Sequence, residues 1–574
     1  MISDLLETKS TEPERELHRQ ILELGNQIAG PADVIAVSLF NYCPDETSRS
    51  KSALQAVSVI KDFPPRIMSY VRTIAGRTIV IVAVDQWIFE RDIERGFLGE
   101  ASVGTLVFPY VALRGERYLH SQEVALKKRL ILELLENLRL SFSELSDRLQ
   151  IRPEYFMYEV LLNRVRVFPP LAQCASNFMW DAERGGKANP TLEGYVEALA
   201  QLAKEQKVKM SDGCVKMLPR RITDSQKPRL WLTSISKNAP RTLFTSLFET
   251  FPQLLNFFNQ NVGTFPKLQT FNQWRKNLEA VRACIDPQKY VFVQTSQGLV
   301  SLAERLGVEA FVRKKMLRGR KGKTKLEAIG GVLNDVYLVK TNVANEEKLV
   351  LVKRFKDWSG IKWFPLNMWS MGTQKFAVLG KSRLEREFAT SEILRNEGFN
   401  VPKVLHVSHG ERLVFMEYIS GENLADQIKR IAHPRKPPTA ELATVTKVGE
   451  LMARVHSLGV ALGDTKPENV IVVPDGKVFL LDFEQASHDG GGDKTWDVAE
   501  FLYYSGHFLP PLRGAGKAEA IANAFISGYL AGGGGVDVVR RAAHSKYTRV
   551  FSIFTAPAVI AAMAAVCKKA GAAG

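Results

Sequence analysis

The order of apolar and polar positions divides the chain into modules of different character. Over Glu14–Ile28 apolar residues recur with helical spacing, and the largely apolar run Ala32–Phe40 that follows predicts a buried strand. Arg77–Asp85 predicts a second strand and Thr105–Val111 a third, while Ser50–Tyr70, around Pro64 and Pro65, reads as mostly helical. Helices alternating with strands predict a small α/β domain over residues 1–120. Phe89–Gly96 alternates charge and predicts an exposed helix with internal ion pairs.

Residues 121–310 read as mainly helical. Gln122–Leu138 is strongly periodic, Ser143 is placed to cap a short helix ending near Ile151, and Pro153 opens a helix that reaches Arg164. Helix, tight turn and helix over 140–166 resemble a helix-turn-helix, as found in winged helices. Arg164 and Arg166 would then face phosphate, with Asn163 and Arg164 toward the bases; an ordinary helical hairpin is the plain alternative. An amphipathic helix over 190–208, a phenylalanine-rich core segment Leu243–Val262, a strand Tyr290–Val293 and a helix Leu299–Leu306 follow, with no catalytic constellation. Eight of the thirteen residues from Arg313 to Lys325 are basic, which makes 311–325 either a solvated linker or an arm along a phosphate backbone.

Beyond residue 326 the pattern changes to short strands and capped helices. Ala328–Val339 fits two strands joined by a turn at Gly330-Gly331; Leu349–Phe355 is a strand, Arg383–Glu397 a helix, and Leu413–Ile419 a strand ending at Ser420-Gly421-Glu422. Val470–Val473 and Val478–Leu481 flank the turn Pro474-Asp475-Gly476 as a hairpin. Three polar groups stand at the ends of those strands: Asp464, Asn469 and Asp482. The set suits phosphoryl transfer, in which one carboxylate takes the proton of an attacking hydroxyl while an amide and a second carboxylate hold Mg²⁺ on the phosphates of ATP.

Here the sequence resembles the protein-kinase superfamily. Asp464-Thr465-Lys466-Pro467-Glu468-Asn469 matches the catalytic loop D-x-K-P-E-N, and Asp482-Phe483-Glu484 stands at the family's D-F-G. The resemblance implies Asp464 as catalytic base, Lys466 near the γ-phosphate, and Asn469 and Asp482 as ligands of Mg²⁺ or Mn²⁺. It implies Lys353, in a strand like V-A-I-K, on the α- and β-phosphates, Glu387 as its carboxylate partner with Glu385 as the competitor, and Gly330 and Gly331 in the nucleotide loop. The segment Met416-Glu417-Tyr418-Ile419 looks like the hinge, with the backbone of Glu417 and Ile419 toward adenine and Met416 as gatekeeper.

Departures from ordinary protein kinases narrow the comparison. H-R-D is replaced by Leu462-Gly463-Asp464, so a phosphorylated activation loop has no arginine to grip. From Asp482 the chain reaches Trp496-Asp497 past Gly490-Gly491-Gly492, with no A-P-E element; Asp497 reads as structural. These features are similar to the compact atypical kinases, the RIO family and the small kinase of the tRNA threonylcarbamoyladenosine-synthesising complex. The aminoglycoside and choline kinases share the Gly-Asp loop, and a small-molecule acceptor is therefore the alternative, beside an ATPase or RNA-associated binding module. Residues 1–120 loosely resemble a nucleotidyltransferase, but no Gly-Ser follows the first strand and Asp85 stands alone, which implies a binding or docking role.

Composition sets bounds on this reading. At 574 residues, 45% hydrophobic and 24% charged, the chain is long and apolar enough for several folded domains. A formal charge of +16 favours anionic partners such as nucleic acid, nucleotides or an acidic membrane surface, or else is solubility charge; the resemblance to the compact kinases implies a protein partner linked to tRNA or the ribosome. Cys43, Cys174, Cys214, Cys284 and Cys567 are scattered without metal-ligand spacing, which predicts a reducing, cytoplasmic compartment. The N-terminus has no apolar core of the signal-peptide kind. Val550–Cys567 is of borderline spanning length but contains Ser552, Thr555 and Pro557 and is favoured as a buried closing helix; the cluster Trp358, Trp363, Phe364, Met368 and Trp369 is core or a contact patch. The expected whole is a multidomain α/β and α+β protein: an α/β domain (1–120), a helical region (121–310), a basic linker (311–325), and the lobes of a bilobal kinase-like fold (326–420 and 421–574).

Overall fold

The structure is a computed structural model that describes residues 12–40, 54–74, 76–100, 102–167, 190–218, 286–320, 322–330, 334–343, 346–357, 377–432, 438–488 and 492–571. The chain divides into two compact units, Met1–Phe292 and Val293–Gly574. Gly331, the tryptophan-rich segment 358–369 and the phenylalanine-rich segment 243–262 lie outside the described residues.

The first unit begins with α1 (Glu12–Ala29), which buries Leu17, Ile21 and Ala29 against a five-stranded sheet. Its strands are β1 (Val34–Phe40), β2 (Leu54–Ile60), β3 (Ile67–Ile74), β4 (Arg77–Asp85) and β5 (Val111–Arg114), in the order β3-β4-β2-β1-β5. Only β2 and β4 run parallel among the register-assigned pairs. Residues 54–74 correct the helical expectation for Ser50–Tyr70. Every residue of β2 is buried, between β1 and β4, and β-branched Val57, Val59 and Ile60 suit that double-sided environment. Pro64 and Pro65 lack the N–H groups a helix needs and turn the chain into β3 instead. The third expected strand is a 3₁₀ turn, Gly104–Val107, followed by the short β5.

Helix α2 (Gln86–Arg95) is not a free charged helix. Arg91 and Glu94 do pair on its outer side at 2.8 Å, but Phe89, Asp92 and Ile93 are buried. The Asp92 carboxylate accepts the N–H groups of Leu98, Glu100 and Ser102, pinning the loop that follows. Asp85 caps α2 by accepting from Trp87 and also accepts the N–H of Phe63, so this lone carboxylate holds backbone.

Next come α3 (Glu116–Ser141), β6 (Gln150–Ile151), α4 (Pro153–Val167), α5 (Pro190–Lys204), β7 (Val208–Ser211) and β8 (Cys214–Met217). Strand β8 pairs with both β6 and β7, so that the described elements run helix, strand, two helices and hairpin in chain order. The short helix expected after Ser143 is a turn, a 3₁₀ helix (Ser146–Arg148) and β6, because Leu145, Leu149 and Ile151 all go into the core and Ile151 pairs with Val215. Arg164 is buried and ion-paired with Glu100, so it does not present itself to phosphate; the side chain of Arg166 lies outside the described residues. The exposed positions of α5 include Glu193, Val196, Glu197 and Lys204.

The second unit is bilobal. Its upper sheet is antiparallel: β9 (Lys323–Gly330), β10 (Asn334–Val343), β11 (Glu346–Phe355), β12 (Val404–Ser408) and β13 (Leu413–Glu417), in the order β9-β10-β11-β13-β12. Helix α6 (Gly380–Asn396) packs against it. The described residues of the basic stretch, 311–320 and 322–325, are folded. Val312–Leu317 is a helical turn whose Val312 and Met316 join Phe311 beneath the sheet, leaving Arg313 and Lys314 in solvent, and Lys323 already belongs to β9. Its alternation of inward apolar and outward basic residues is what a charge count alone cannot see. Leu299–Leu306 is not a helix either: Gly298–Ser301 is extended, and Thr295 Oγ1 closes the preceding turn by donating to Gly298 O at 2.9 Å.

The lower lobe contains β14 (Glu422–Asn423), α7 (Leu424–Ala432), α8 (Thr439–Ser457), β15 (Val470–Val472), β16 (Val478–Leu480), α9 (Lys494–His507), α10 (Ala515–Ala531), α11 (Val536–Ala542), α12 (Ser545–Phe551) and α13 (Pro557–Lys569). Strands β14, β15 and β16 form a small sheet over a core built by α7–α13. Val550–Cys567 is interrupted between α12 and α13, and Val559, Ile560, Met563 and Cys567 bury one face of α13 in that core. Among the described residues no helix is long and apolar enough to cross a membrane.

Candidate active site

The loop 461–469 joins α8 to β15, and buried carboxylates hold it from below. Asp497, in the first turn of α9, accepts the N–H groups of Leu462 at 2.6 Å and Gly463 at 2.8 Å. His456 bridges Asp497, at 3.0 Å from Oδ2, to the hydroxyl of Tyr529 at 2.7 Å. Glu500, one turn further along α9, accepts the N–H of Thr465 at 2.8 Å. Gly463 has φ +75°, and a Cβ there would stand 2.4 Å from the carbonyl oxygen of Gln485, so only glycine fits. The missing H-R-D arginine is thus matched by a loop tied down through its own backbone.

Asp464 leaves this loop with its carboxylate 3.0 Å from Nζ of Lys466. Burial pushes the Asp464 carboxyl above its ordinary range; Lys466 pulls it back and Asp482 pushes it further up. Asn469 donates from Nδ2 to the carbonyl of Asp464 at 3.0 Å, which fixes its amide with Oδ1 as the remaining acceptor. The N–H of Leu481 donates to Asn469 O, so the hairpin sets the distance from Asn469 to Asp482.

Asp482 sits in the left-handed region, φ 60°, and turns its carboxylate up to Lys353 on β11. Lys353 Nζ lies 2.5 Å from Asp482 Oδ1, 3.2 Å from Glu484 Oε2 and 3.4 Å from Glu387 Oε2. Burial works against its charge, but the carboxylates of Asp482, Glu387 and Glu484 outweigh it and hold the ammonium well above the ordinary lysine range. Glu387 is pushed up to about 7, first by burial and then by Asp482 and Glu484, while Lys353 and the N–H of Phe483 pull the other way. That N–H donates to Glu387 Oε2 at 2.8 Å. Glu385 faces elsewhere, 3.2 Å from His409, so Glu387 is the helix carboxylate that meets the lysine.

Of the remaining expected positions, Gly330 and Glu417 lie on the upper sheet. Gly330 ends β9 with φ +149°, and a Cβ on it would meet nothing within 4 Å. Met416 is buried at the end of β13, where the N–H of Glu417 donates to Lys403 O at 2.9 Å and Ile419 follows past the strand. Asp464, Lys466, Asn469, Asp482, Lys353 and Glu387 therefore come together in one cleft.

The fold also draws in four residues that motif and spacing do not mark. Arg383, a turn before Glu387 on α6, reaches Glu484 Oε1 at 3.1 Å and Asn334 Oδ1 at 2.8 Å, and Asn334 Nδ2 donates to Glu484 Oε2 at 2.5 Å. Gln485 brackets the backbone of Ala377, accepting its N–H at 2.8 Å and donating to its carbonyl at 3.4 Å. The one signal of this group visible in the sequence is a charged residue, Glu484, at the family's glycine.

Residues 344–503 match the family model described as "Lipopolysaccharide kinase (Kdo/WaaP) family". The chain is 33% identical over 112 residues to the KEOPS complex subunit Bud32 of Pyrococcus abyssi, covering 19% of this chain and 48% of that protein. It is 29% identical over 164 residues to a probable serine/threonine-protein kinase BUD32 homolog of Archaeoglobus fulgidus, covering 28% of this chain and 73% of that protein. With the serine/threonine-protein kinase PknE of Mycobacterium tuberculosis it shares 32% identity over 112 residues, 19% of each chain. The chain thus spans about half the length of the Pyrococcus relative and about a fifth of the mycobacterial one. The second unit contains an atypical protein-kinase-like domain.

Proposed function

We propose that the chain is an ATP- and divalent-metal-dependent phosphotransferase acting on a serine or threonine hydroxyl of a protein, with the first unit as a docking module. The observation that carries this is that Asn469 is bonded to Asp464 on one loop while Lys353 meets both Asp482 and Glu387. The donor set fits the cofactor pair. The Asn469 amide oxygen and the Asp482 carboxylate are hard oxygen donors of the kind Mg²⁺ and Mn²⁺ take alongside phosphate oxygens. Bound there, the metal nucleotide would supply a transferable phosphoryl group with its charge partly neutralised.

The chain's own residues would do the rest. Asp464 orients the acceptor hydroxyl and takes its proton, helped by a carboxyl already pushed upward by burial. Lys466, 3.0 Å from Asp464, stands where it can hold the charge of the transferring group. Lys353 holds the inner phosphates, Gly330 and Gly331 let backbone approach them, and the carbonyl of Glu417 with the N–H of Ile419 would hold adenine. The compartment in this reading is a reducing cytoplasm, in keeping with buried, unpaired Cys214 and Cys567. The relative named as a KEOPS complex subunit and those named as serine/threonine-protein kinases favour a protein acceptor over a small molecule.

The test is incubation with γ-labelled ATP and Mg²⁺ or Mn²⁺, wild type beside Asp464→Ala, with a basic protein and total tRNA present. Label on protein in the wild type alone is expected, with Asp464→Ala still binding ATP and its rate down by roughly 10²–10⁴. Phosphate release without labelled protein would overturn the protein-kinase reading, and equal labelling by the variant would remove Asp464 from its role.

A further inference from the structure

The position after Asp482-Phe483 is glycine in the family this sequence resembles; here it is Glu484, and it is buried. A buried carboxylate is costly unless charge and hydrogen bonds meet it. Both its oxygens are met. Oε1 faces Arg383 at 3.1 Å; Oε2 accepts from Asn334 at 2.5 Å and lies 3.2 Å from Lys353. Arg383 closes the ring by donating to Asn334 Oδ1 at 2.8 Å and also binds the carbonyl of Lys356 at 2.5 Å. The ring joins three parts of the site: the strand leaving the nucleotide loop at Asn334, helix α6 at Arg383, and the segment that carries Asp482.

The register along α6 gives the ring its consequence. Arg383 and Glu387 are four residues apart and so share one face of the helix. Fixing Arg383 on Glu484 fixes Glu387 opposite Lys353. The charge balance matters as well. Two cations, Lys353 and Arg383, meet three carboxylates, Glu387, Asp482 and Glu484. Without Arg383, Glu484 would draw on Lys353 alone.

The residues after Glu484 are tied one by one. Gln485 brackets Ala377, Ser487 pairs with Ala461 through two backbone bonds, and His488 Nε2 lies 3.2 Å from Thr390 Oγ1. Segment 482–488 thus has partners on α6, on the catalytic loop and on the approach to α6.

We propose that Arg383 and Glu484 are a positioning pair that holds the segment bearing Asp482 and the helix bearing Glu387 in their working arrangement. The pair does the work that phosphorylation of a long activation segment does in switched kinases, so turnover needs no such modification. This rests on the phosphotransferase reading above for its catalytic consequence, but the positioning itself has a readout independent of activity.

The experiment combines hydrogen exchange with kinetics on the full chain, comparing wild type, Glu484→Gln, Arg383→Gln and the double variant. Glu484→Gln keeps size and the Asn334 contact while removing the charge. Without nucleotide, faster exchange over 482–488 and over α6 is expected in each single variant, with the rest of the chain protected as in wild type. In turnover, kcat/KM for ATP should fall about 10–100-fold in each single variant, and the Mg²⁺ concentration at half-maximal rate should rise. The double variant should be no worse than the worse single one, because the two groups act as one. Treatment of wild type with a phosphatase should leave its rate unchanged. Unaltered exchange at 482–488 in Glu484→Gln would overturn the proposal whatever the enzyme does. A wild type that fails to transfer phosphate while the exchange result holds would instead overturn the phosphotransferase reading. If Arg383→Gln melts outright, Arg383→Lys replaces it. Full kinetic rescue by lysine would then overturn the requirement for the forked contacts to Glu484, Asn334 and Lys356.

Discussion

Lys353 Nζ lies 2.5 Å from Asp482 Oδ1 and 3.4 Å from Glu387 Oε2, so the strand lysine is closer to the carboxylate below it than to the helix carboxylate. In the proposed reaction, a metal held by Asp482 would compete with Lys353 for this carboxylate. With Asp482 engaged by a cation, Lys353 would be free to turn toward phosphate, with Glu387 and Glu484 as its remaining counter-charges. Asp482→Ala should lose metal-dependent nucleotide binding together with turnover. Titration of a fluorescent ATP analogue with and without Mg²⁺ checks this: wild type should bind more tightly with Mg²⁺ and the variant should show no difference. A variant that keeps the Mg²⁺ effect would place the metal elsewhere.

Gly463 is the residue on which the catalytic loop turns. Its φ of +75° and the 2.4 Å approach of a notional Cβ to Gln485 O both exclude a side chain. Gly463→Ala should cost on the order of 1–3 kcal/mol from the backbone alone, and more from the clash. The loop must shift to relieve it, which would pull Leu462 and Gly463 away from Asp497. Thermal melting should register the loss, and kcat should fall more than the affinity for ATP, because Asp464 is the neighbour displaced. A variant with wild-type melting and kcat would show that the loop has slack.

Much of this arrangement is legible in the sequence. The polar ends of the 470–481 hairpin, Lys353 at the end of an apolar strand and the continuous cores of β1 and β4 follow from local pattern, and local pattern is what a sequence displays. Three kinds of feature are hidden. Strand β2 and the turn at Pro64-Pro65 pass for helix because a strand buried on both faces has no alternation to reveal it. The stretch 313–325 passes for a linker because its basic count masks inward Met316 and the apolar run preceding it. Glu484, Arg383 and Asn334 stay hidden because their meaning lies in a contact between positions 49 to 150 residues apart. No window of sequence contains that juxtaposition.

Glu387 gives the rate a pH dependence. Its carboxyl is pushed up to about 7 by burial and by the neighbouring carboxylates. As pH falls through about 7 it takes a proton, and Lys353 loses one of the counter-charges that orient it. The value of kcat/KM for ATP should therefore decline on the acid side of neutrality, and Glu387→Gln should be slow with that limb missing. Initial rates from about pH 6 to about pH 8.5 for the two proteins make the comparison. An acid limb that survives in Glu387→Gln would assign the titration to another group.

Glu500 allows a test of the support beneath the loop rather than of the chemistry. It is pushed up to about 8, by burial first and then by Asp464, against the opposing pull of Lys466 and the N–H of Thr465. A carboxyl whose folded value is raised binds a proton in the native state that the unfolded chain has already released. Its contribution to stability is therefore full below the ordinary value of 4.5 and is lost as pH rises to about 8. At neutral pH the group is mostly protonated, and glutamine imitates that form: it keeps an oxygen for the N–H of Thr465 and carries no charge. Glu500→Gln should melt close to wild type near pH 5, where wild type still holds its proton, and above it near pH 9, where wild type has lost it. The difference in melting temperature should open between those two values. If the two proteins fall in parallel from pH 5 to pH 9, Glu500 is ionised throughout, and the loop rests on a charge that Lys466 alone must balance.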